Sequence, residues 1–208
     1  MPEQSKVPMP TLERLATYHA ILKDLKNRSV DTISSTDVEE KTGINAAQFR
    51  KDLSYFGEFG RPGIGYNVDE LYCKINEILK LHNTQPVLLV GAGNLGSALA
   101  GYPALKSEGF RIVAVFDSSA NKIGQTLWDL TVKNIDSLID ENKKLQARIG
   151  IICVPANSAQ KVAETLVKAG VSTILNFAPI ALKLPDEIKV RNVDFVKELA
   201  VLSYHIPD

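Results

Sequence analysis

Residues Val87 to Ala100 read VLLVGAGNLGSALA, where four apolar residues run directly into Gly91, Gly93 and Gly96 and then into a small-residue helical stretch. An apolar strand that ends in glycines and re-enters a helix is the opening βα turn of a parallel sheet, so this stretch constrains the fold more than any other. The first glycine permits the sharp exit from the strand and the second leaves space for a pyrophosphate. The third lets the helix pack closely while its free N–H groups face the phosphates. With Ala92, Asn94 and Leu95, these glycines form a candidate nucleotide loop. Asp117 closes the next apolar segment 21 residues after Gly96, where a carboxylate can accept a hydrogen bond from an adenosine ribose. Ser118 and Ser119 follow, with no arginine nearby to meet a 2′-phosphate, so NAD is expected over NADP.

The rest of the chain extends this α/β pattern. Val87–Val90, Ile112–Phe116, Ile149–Val154 and Thr173–Phe177 are short, β-branched and apolar on both parities. Helical stretches over Leu95–Lys106, Asp136–Leu145 and Ser158–Ala169 separate most of them, which predicts a doubly wound α/β domain over residues 85–192. Upstream of the polar run His82–Pro86 the rhythm is helical. Leu12, Leu15, Tyr18, Leu22 and Leu25 fall at three- and four-residue steps. Thr36 with Glu39, and Asn45 with Gln48, each match a capping box, and Gly43 sits between them where a helix needs a left-handed terminator. GEFGRPGIGYNV suits a glycine-tipped hairpin, and Val68–Leu81 reads as a further helix. Residues 1–84 are thus expected to form a winged helix-turn-helix domain. A terminal helical segment, residues 193–208, lies beyond the sheet and either caps its own domain or reaches a partner subunit.

Composition narrows the function. Twenty-four basic and 24 acidic residues cancel, so any nucleic-acid contact must be local rather than a property of bulk charge. In the second helix of the pair, Phe49, Leu53 and Phe56 fall on one side, while Gln48, Arg50, Lys51 and Ser54 are left as candidate DNA contacts, with Tyr55 at the helix end and Arg61 near the hairpin tip. Residues 1–84 nevertheless carry eleven Lys/Arg against twelve Asp/Glu, so a protein-binding winged helix is an equal reading from composition alone. No apolar run approaches the roughly 18 residues of a membrane span, and the first residues lack the pattern of a signal peptide, so a cytoplasmic protein is expected. Cys73 and Cys153 have no partner at metal or disulfide spacing and read as buried thiols; no metal site is expected.

A dehydrogenase would need a proton donor or acceptor beside the nicotinamide. The only histidine after Asp117 is His205, near the end, and Cys153 sits at a strand end. Tyr102 and Lys106 have a Tyr-x-x-x-Lys spacing, but on the first helix after the glycine loop rather than on a later one. The residues therefore suggest a holder of NADH and NAD⁺ with no catalyst of its own. A small NAD-dependent oxidoreductase and a CoA-binding protein are the rivals.

The runs FRKDLSYFGEFGRPGIGYNV, VLLVGAGNLGSALA, VFDSSANKIG, ICVPANSAQKVAETLVKAG, ILNFAP, VDF and ELAVLSYHI together resemble the Rex family of redox-sensing transcriptional repressors, from about Leu12 to Ile206. The resemblance implies a homodimer that binds a palindromic DNA operator through winged helices and is released when NADH binds a Rossmann domain. It also implies a terminal helix that swaps across the dimer. On this basis Gly91 to Gly96 correspond to the phosphate loop and Asp117 to the ribose acid. Val154 and Pro155 pass over the cofactor, and Tyr102, Phe177, Ala178 and Pro179 lie near the nicotinamide. The chain departs from the family at one signalling position. Family members carry a pattern like Arg-Leu-x-x-Tyr-x-Arg whose last arginine pairs across the dimer with an aspartate. Here RLATYHA keeps Arg14 and Tyr18 but has Ala20 at that arginine, with Asp194 in the acid's place. His19, Arg14 or packing alone would then have to serve.

Overall fold

The computed structural model describes residues 7–61 and 63–207, so Pro62 of the expected wing lies outside the described residues. The chain divides into two compact units, with the boundary between Asn83 and Thr84.

The first unit starts with α1 (Met9–Asn27), whose residues Leu15, Tyr18, Leu22 and Leu25 are buried along one stripe. A two-residue strand β1 (Thr32–Ile33) leads into α2 (Ser35–Thr42). Its capping box is Ser34 with Asp37, two residues before the Thr36–Glu39 pair expected from the sequence. SSTDVEE offers competing hydroxyl and acid pairs, and the pair that forms leaves Val38 buried on the inner side of the helix. Gly43 ends α2 with φ at +70°, the left-handed terminator anticipated. In α3 (Ala46–Ser54) Asn45 caps by accepting from Ala47 N, but Gln48 does not complete a box; its amide donates to Asp52 instead. The hairpin closes through Arg61 N donating to Gly65 O at 2.9 Å. Strand β2 (Tyr66–Asn67) then pairs antiparallel with β1, and α4 (Val68–Ile78) packs Leu71 and Ile75 into the core. Phe49 is the keystone of that core, meeting Tyr18 and Tyr66 edge-on at centroid distances of 4.8 and 5.2 Å.

The second unit is a seven-stranded sheet with helices on both faces. Its chain order is β3 (Gln85–Val90), α5 (Asn94–Ala100), α6 (Pro103–Ser107), β4 (Phe110–Asp117), β5 (Thr126–Leu127), β6 (Leu130–Asn134), α7 (Leu138–Leu145), β7 (Ile149–Ile152), α8 (Ala156–Lys168), β8 (Thr173–Asn176), β9 (Lys189–Asn192) and α9 (Phe195–Ser203). The spatial order is β5-β6-β4-β3-β7-β8-β9, all parallel except the edge strand β5. Alternate strand residues serve opposite faces. Leu88, Val90, Phe116 and Ile152 pack with Leu138 and Leu166, whereas Val87, Leu89, Val115 and Ile151 pack with Leu99.

The chain leaves β3 toward β4 and β6 and later returns to β3's other side as β7, so a crevice opens at the carboxyl ends of β3 and β7, the topological switch point of a doubly wound sheet.

The structure departs from these expectations in five places. The single helix expected over Leu95–Lys106 is two helices, broken at Gly101 and Tyr102 ahead of Pro103. The β5–β6 hairpin and the polar edge strand β9 were not anticipated. The strand expected to run to Val154 ends at Ile152. Cys73 is exposed rather than buried.

Candidate functional site

The crevice is assembled mainly from backbone. Gly91 leaves β3 with φ at +106°, and a Cβ there would collide with the Cys153 carbonyl, so the loop passes tight against the end of β7. A Cβ on Gly96 would overlap the Gly91 carbonyl oxygen, which is why α5 can lie so close beneath the turn. Gly93 differs: nothing lies within 4 Å of where its Cβ would be. The space over Gly93 is therefore open to a ligand, as the sequence spacing requires of the second glycine.

Asp117, at the end of β4, is 9% exposed and faces this loop. Its Oδ2 accepts from Ala92 N at 2.8 Å and from Lys122 Nζ at 3.2 Å, and its Oδ1 accepts from Ser119 N at 2.9 Å. Burial pushes toward the neutral acid, but the Ser119 and Ala92 N–H groups and Lys122 outweigh it, so the carboxyl stays below its usual range and ionised. A carboxylate accepts about four hydrogen bonds, so Oδ1 retains capacity for a ribose hydroxyl.

Across the switch point, Val154 and the exposed Pro155, which caps α8, follow β7. Phe177, Ala178 and Pro179 follow β8, and Phe177 N donates to Ile152 O at 3.0 Å. This last loop is held by Asn176, fully buried, whose Nδ2 donates to the carbonyls of Ala178 and Ile180 and to Asn192 Oδ1 while its Oδ1 accepts from Ala178 N. Tyr102, 56% exposed, stands at the break between α5 and α6. The Cys153 thiol, pushed up to about 12 by burial, carries its proton at neutral pH and offers no nucleophile. Thus Gly91, Ala92, Gly93, Asn94, Leu95, Gly96, Asp117, Val154, Pro155, Phe177, Ala178 and Pro179 all lie at one carboxyl edge. Lys122, Ser119 and Asn176 are additions that the sequence reading did not include.

The terminal helix starts beside this edge. Asp194 caps α9, accepting from Val196 N and Lys197 N, and the Phe195 ring lies 6.0 Å from that of Phe177. Beyond it Val196, Leu199, Val201, Leu202, Tyr204 and Ile206 are all more than half exposed.

In the first unit, Arg50 and Lys51 are exposed on α3, with Arg50 Nη1 donating to Ser35 Oγ at 2.8 Å; Ser54 is exposed and Tyr55 half-buried at the helix end. Arg61 is exposed in the hairpin, and a cleft lined by Ser34, Ser35, Arg50, Arg61, Ile64 and Tyr66 separates helix pair from hairpin. Arg14, Tyr18 and Gln48 converge elsewhere, on the fully buried Asp52. His19 is also engaged in its own unit, with Nε2 3.1 Å from Asn76 Oδ1 and its ring stacked on Tyr72. Among the described residues, no group of His, Cys, Asp and Glu is placed to hold a metal, and no helix is long and apolar enough to cross a membrane.

Two family models match this chain. Residues 6–54 match the family described as putative DNA-binding protein N-terminus, and residues 82–180 match the CoA binding domain. The redox-sensing transcriptional repressor Rex of Carboxydothermus hydrogenoformans is 48% identical over 97% of this chain and 97% of that protein. Rex 1 of Thermotoga maritima is 43% identical over 97% and 96%. Among solved structures, the Rex-family repressor RSP in complex with β-NAD⁺ and operator DNA superposes with a TM-score of 0.91 at 40% identity, covering 96% of this chain and 92% of that one. RSP in complex with β-NADH gives 0.87 at 38% identity, covering 96% and 94%. At this identity over nearly the whole length, the chain belongs to the Rex family of redox-sensing transcriptional repressors.

Proposed function

We propose that this chain is a cytoplasmic, homodimeric repressor that binds a palindromic operator and releases it when NADH occupies the crevice. The observation that carries the reading is the open face above Gly93 beside an ionised Asp117 with a free acceptor position, on the same chain as the exposed Arg50 and Lys51 of a winged helix. Gly91 to Gly96 would receive the pyrophosphate, Asp117 a ribose hydroxyl, and Tyr102, Phe177, Ala178 and Pro179 the nicotinamide. NADH and NAD⁺ differ in ring charge and planarity, so only this last group can tell them apart, while Asp117 serves both alike. RSP, solved with each cofactor and with operator DNA, supports the assignment.

The exposed apolar face of α9 is covered by a second copy in this reading, because seven large apolar side chains from Phe195 to Ile206 do not remain in water on a stable monomer. Phe195 against Phe177 links the nicotinamide end of the crevice to that interface. With Ala20 at the family's arginine, and Arg14 and His19 both committed within their own unit, the NADH-bound arrangement rests on packing rather than on an ion pair to Asp194. A preference of about 100-fold for one arrangement would supply about 2.7 kcal/mol per site.

Calorimetric titration with NADH, NAD⁺, NADPH and CoA checks the crevice. NADH and NAD⁺ are expected to bind at one site per chain and NADPH far more weakly. Tighter binding of CoA than of NADH would contradict the assignment.

A further inference from the structure

We infer that Asp52 is a positioning residue for sequence-specific DNA reading: it locks the rotation of α3 on α1, and so decides which way Arg50, Lys51 and Ser54 point, with Gln48 serving this clamp. The inference rests on the DNA-binding role proposed above.

Asp52 lies on α3 immediately after Arg50 and Lys51, yet it faces inward and is fully buried. Five donors meet it. Oδ1 accepts from Thr11 Oγ1 at 3.1 Å, Arg14 Nη2 at 2.7 Å and Gln48 Nε2 at 2.8 Å; Oδ2 accepts from Arg14 Nε at 2.6 Å and Tyr18 Oη at 2.9 Å. Three of these residues, Thr11, Arg14 and Tyr18, belong to α1, and Gln48 lies one turn back on α3 itself. The carboxylate is therefore saturated, and the Arg14 guanidinium is bound in a fork whose geometry tolerates little rotation.

Toward α2, α3 is tied by Ala46 N donating to Glu39 Oε2 at 3.0 Å and by Arg50 Nη1 donating to Ser35 Oγ; its remaining attachments, Phe49 and Leu53, are apolar contacts. Such contacts set how deep the helix sits but are weakly directional, whereas charge-assisted hydrogen bonds are strongly so. Successive helical residues are about 100° apart, so any roll of α3 swings Arg50 and Lys51 by the same angle. Base-edge recognition needs its donors within about 0.5 Å and 10–20° of the right place, while phosphate contact by a flexible cation does not. Loosening this clamp should therefore cost discrimination between sequences before it costs affinity for DNA in general.

The test uses full-length wild type, Tyr18→Phe and Asp52→Asn, and a duplex pool with a randomised centre, from which wild type selects its palindrome. Affinities for that palindrome and for a scrambled duplex of equal length are then compared at one salt concentration, alongside thermal unfolding. Tyr18→Phe removes one donor and keeps the ring against Phe49. It is expected to lower the palindrome-to-scrambled ratio about tenfold with the scrambled affinity unchanged, and Asp52→Asn to lower it about a hundredfold. If Asp52→Asn does not fold, Tyr18→Phe decides. A folded Tyr18→Phe that keeps the wild-type ratio, or that loses equally on both duplexes, overturns the inference. Failure of wild type to select any sequence instead overturns the DNA-binding reading, and this inference with it.

Discussion

Two buried aspartates, one in each unit, show how differently the halves of this molecule use the same chemistry. Asp117 sits at the carboxyl end of the interior strand β4 and takes two of its three donors from backbone N–H groups, which leaves it acceptor capacity. Asp52 sits between helices, takes all five donors from side chains and has no capacity left. An incompletely satisfied carboxylate beside empty space is poised for a ligand, whereas a saturated one holds parts of the protein together. In this chain spare hydrogen-bonding capacity, more than charge or burial, separates the acid proposed to bind from the acid proposed to position.

The most forceful way to break that contrast is to make the same substitution at both. Asp52→Ala leaves the Arg14 guanidinium without its counter-ion and should destabilise the first unit by about 3 kcal/mol, read by denaturant unfolding, while NADH affinity of the folded fraction is unchanged. Asp117→Ala removes three hydrogen bonds and should cost the second unit less, about 1 kcal/mol, while weakening NADH and NAD⁺ alike by about 10- to 100-fold in calorimetry, as expected for loss of hydrogen bonds to a charged group. Equal effects on stability would dissolve the distinction.

The glycines sharpen it at smaller scale. Gly96→Ala forces a Cβ onto the Gly91 carbonyl and should cost the second unit about 2 kcal/mol of stability. Gly93→Ala meets no protein atom and should leave stability intact, weakening only the dinucleotide.

The acid limit gives the smallest effect. Burial pushes both carboxyls upward, but their donors overcome it and hold both below the ordinary aspartate value of 3.8. Such a group contributes stability that is complete above its unfolded-state value and is lost as pH falls through the folded-state value. The stability gap between wild type and Asp52→Asn should therefore be constant above about pH 5 and narrow below about pH 4, measured by denaturant unfolding across that range.

The same contrast explains what could be read from the residues in order along the chain. The crevice is encoded in contiguous runs: Gly91, Gly93, Gly96 and Asp117 carry their meaning through short spacings, and a doubly wound fold follows from them. The Asp52 cluster is not, because Thr11, Arg14 and Tyr18 precede Asp52 by 41, 38 and 34 residues and no periodicity links them. Gln48, a candidate DNA contact by residue type, and Arg14, a candidate dimer signal by resemblance, are drawn to a partner that local sequence does not disclose. Strand β9, reading Lys-Val-Arg-Asn, lacks the two-sided apolar pattern because it is an exposed edge. The α5–α6 break, by contrast, is legible in Gly101 and Pro103, which outweigh the helical spacing over Leu95–Lys106. Asn176 is visible in the sequence as a polar residue at the end of an apolar strand, but its partners, Ala178 and Ile180 in the loop that follows and Asn192 on β9, are not.

The central claim is that the crevice reads the nicotinamide's oxidation state and passes it to the DNA-binding unit. It is tested most directly by fluorescence anisotropy of the full-length protein on its selected palindrome, titrated separately with NADH and NAD⁺. NADH is predicted to release the duplex at concentrations that fill the crevice, with NAD⁺ leaving it bound. Full occupancy by NADH with undiminished anisotropy would contradict the account.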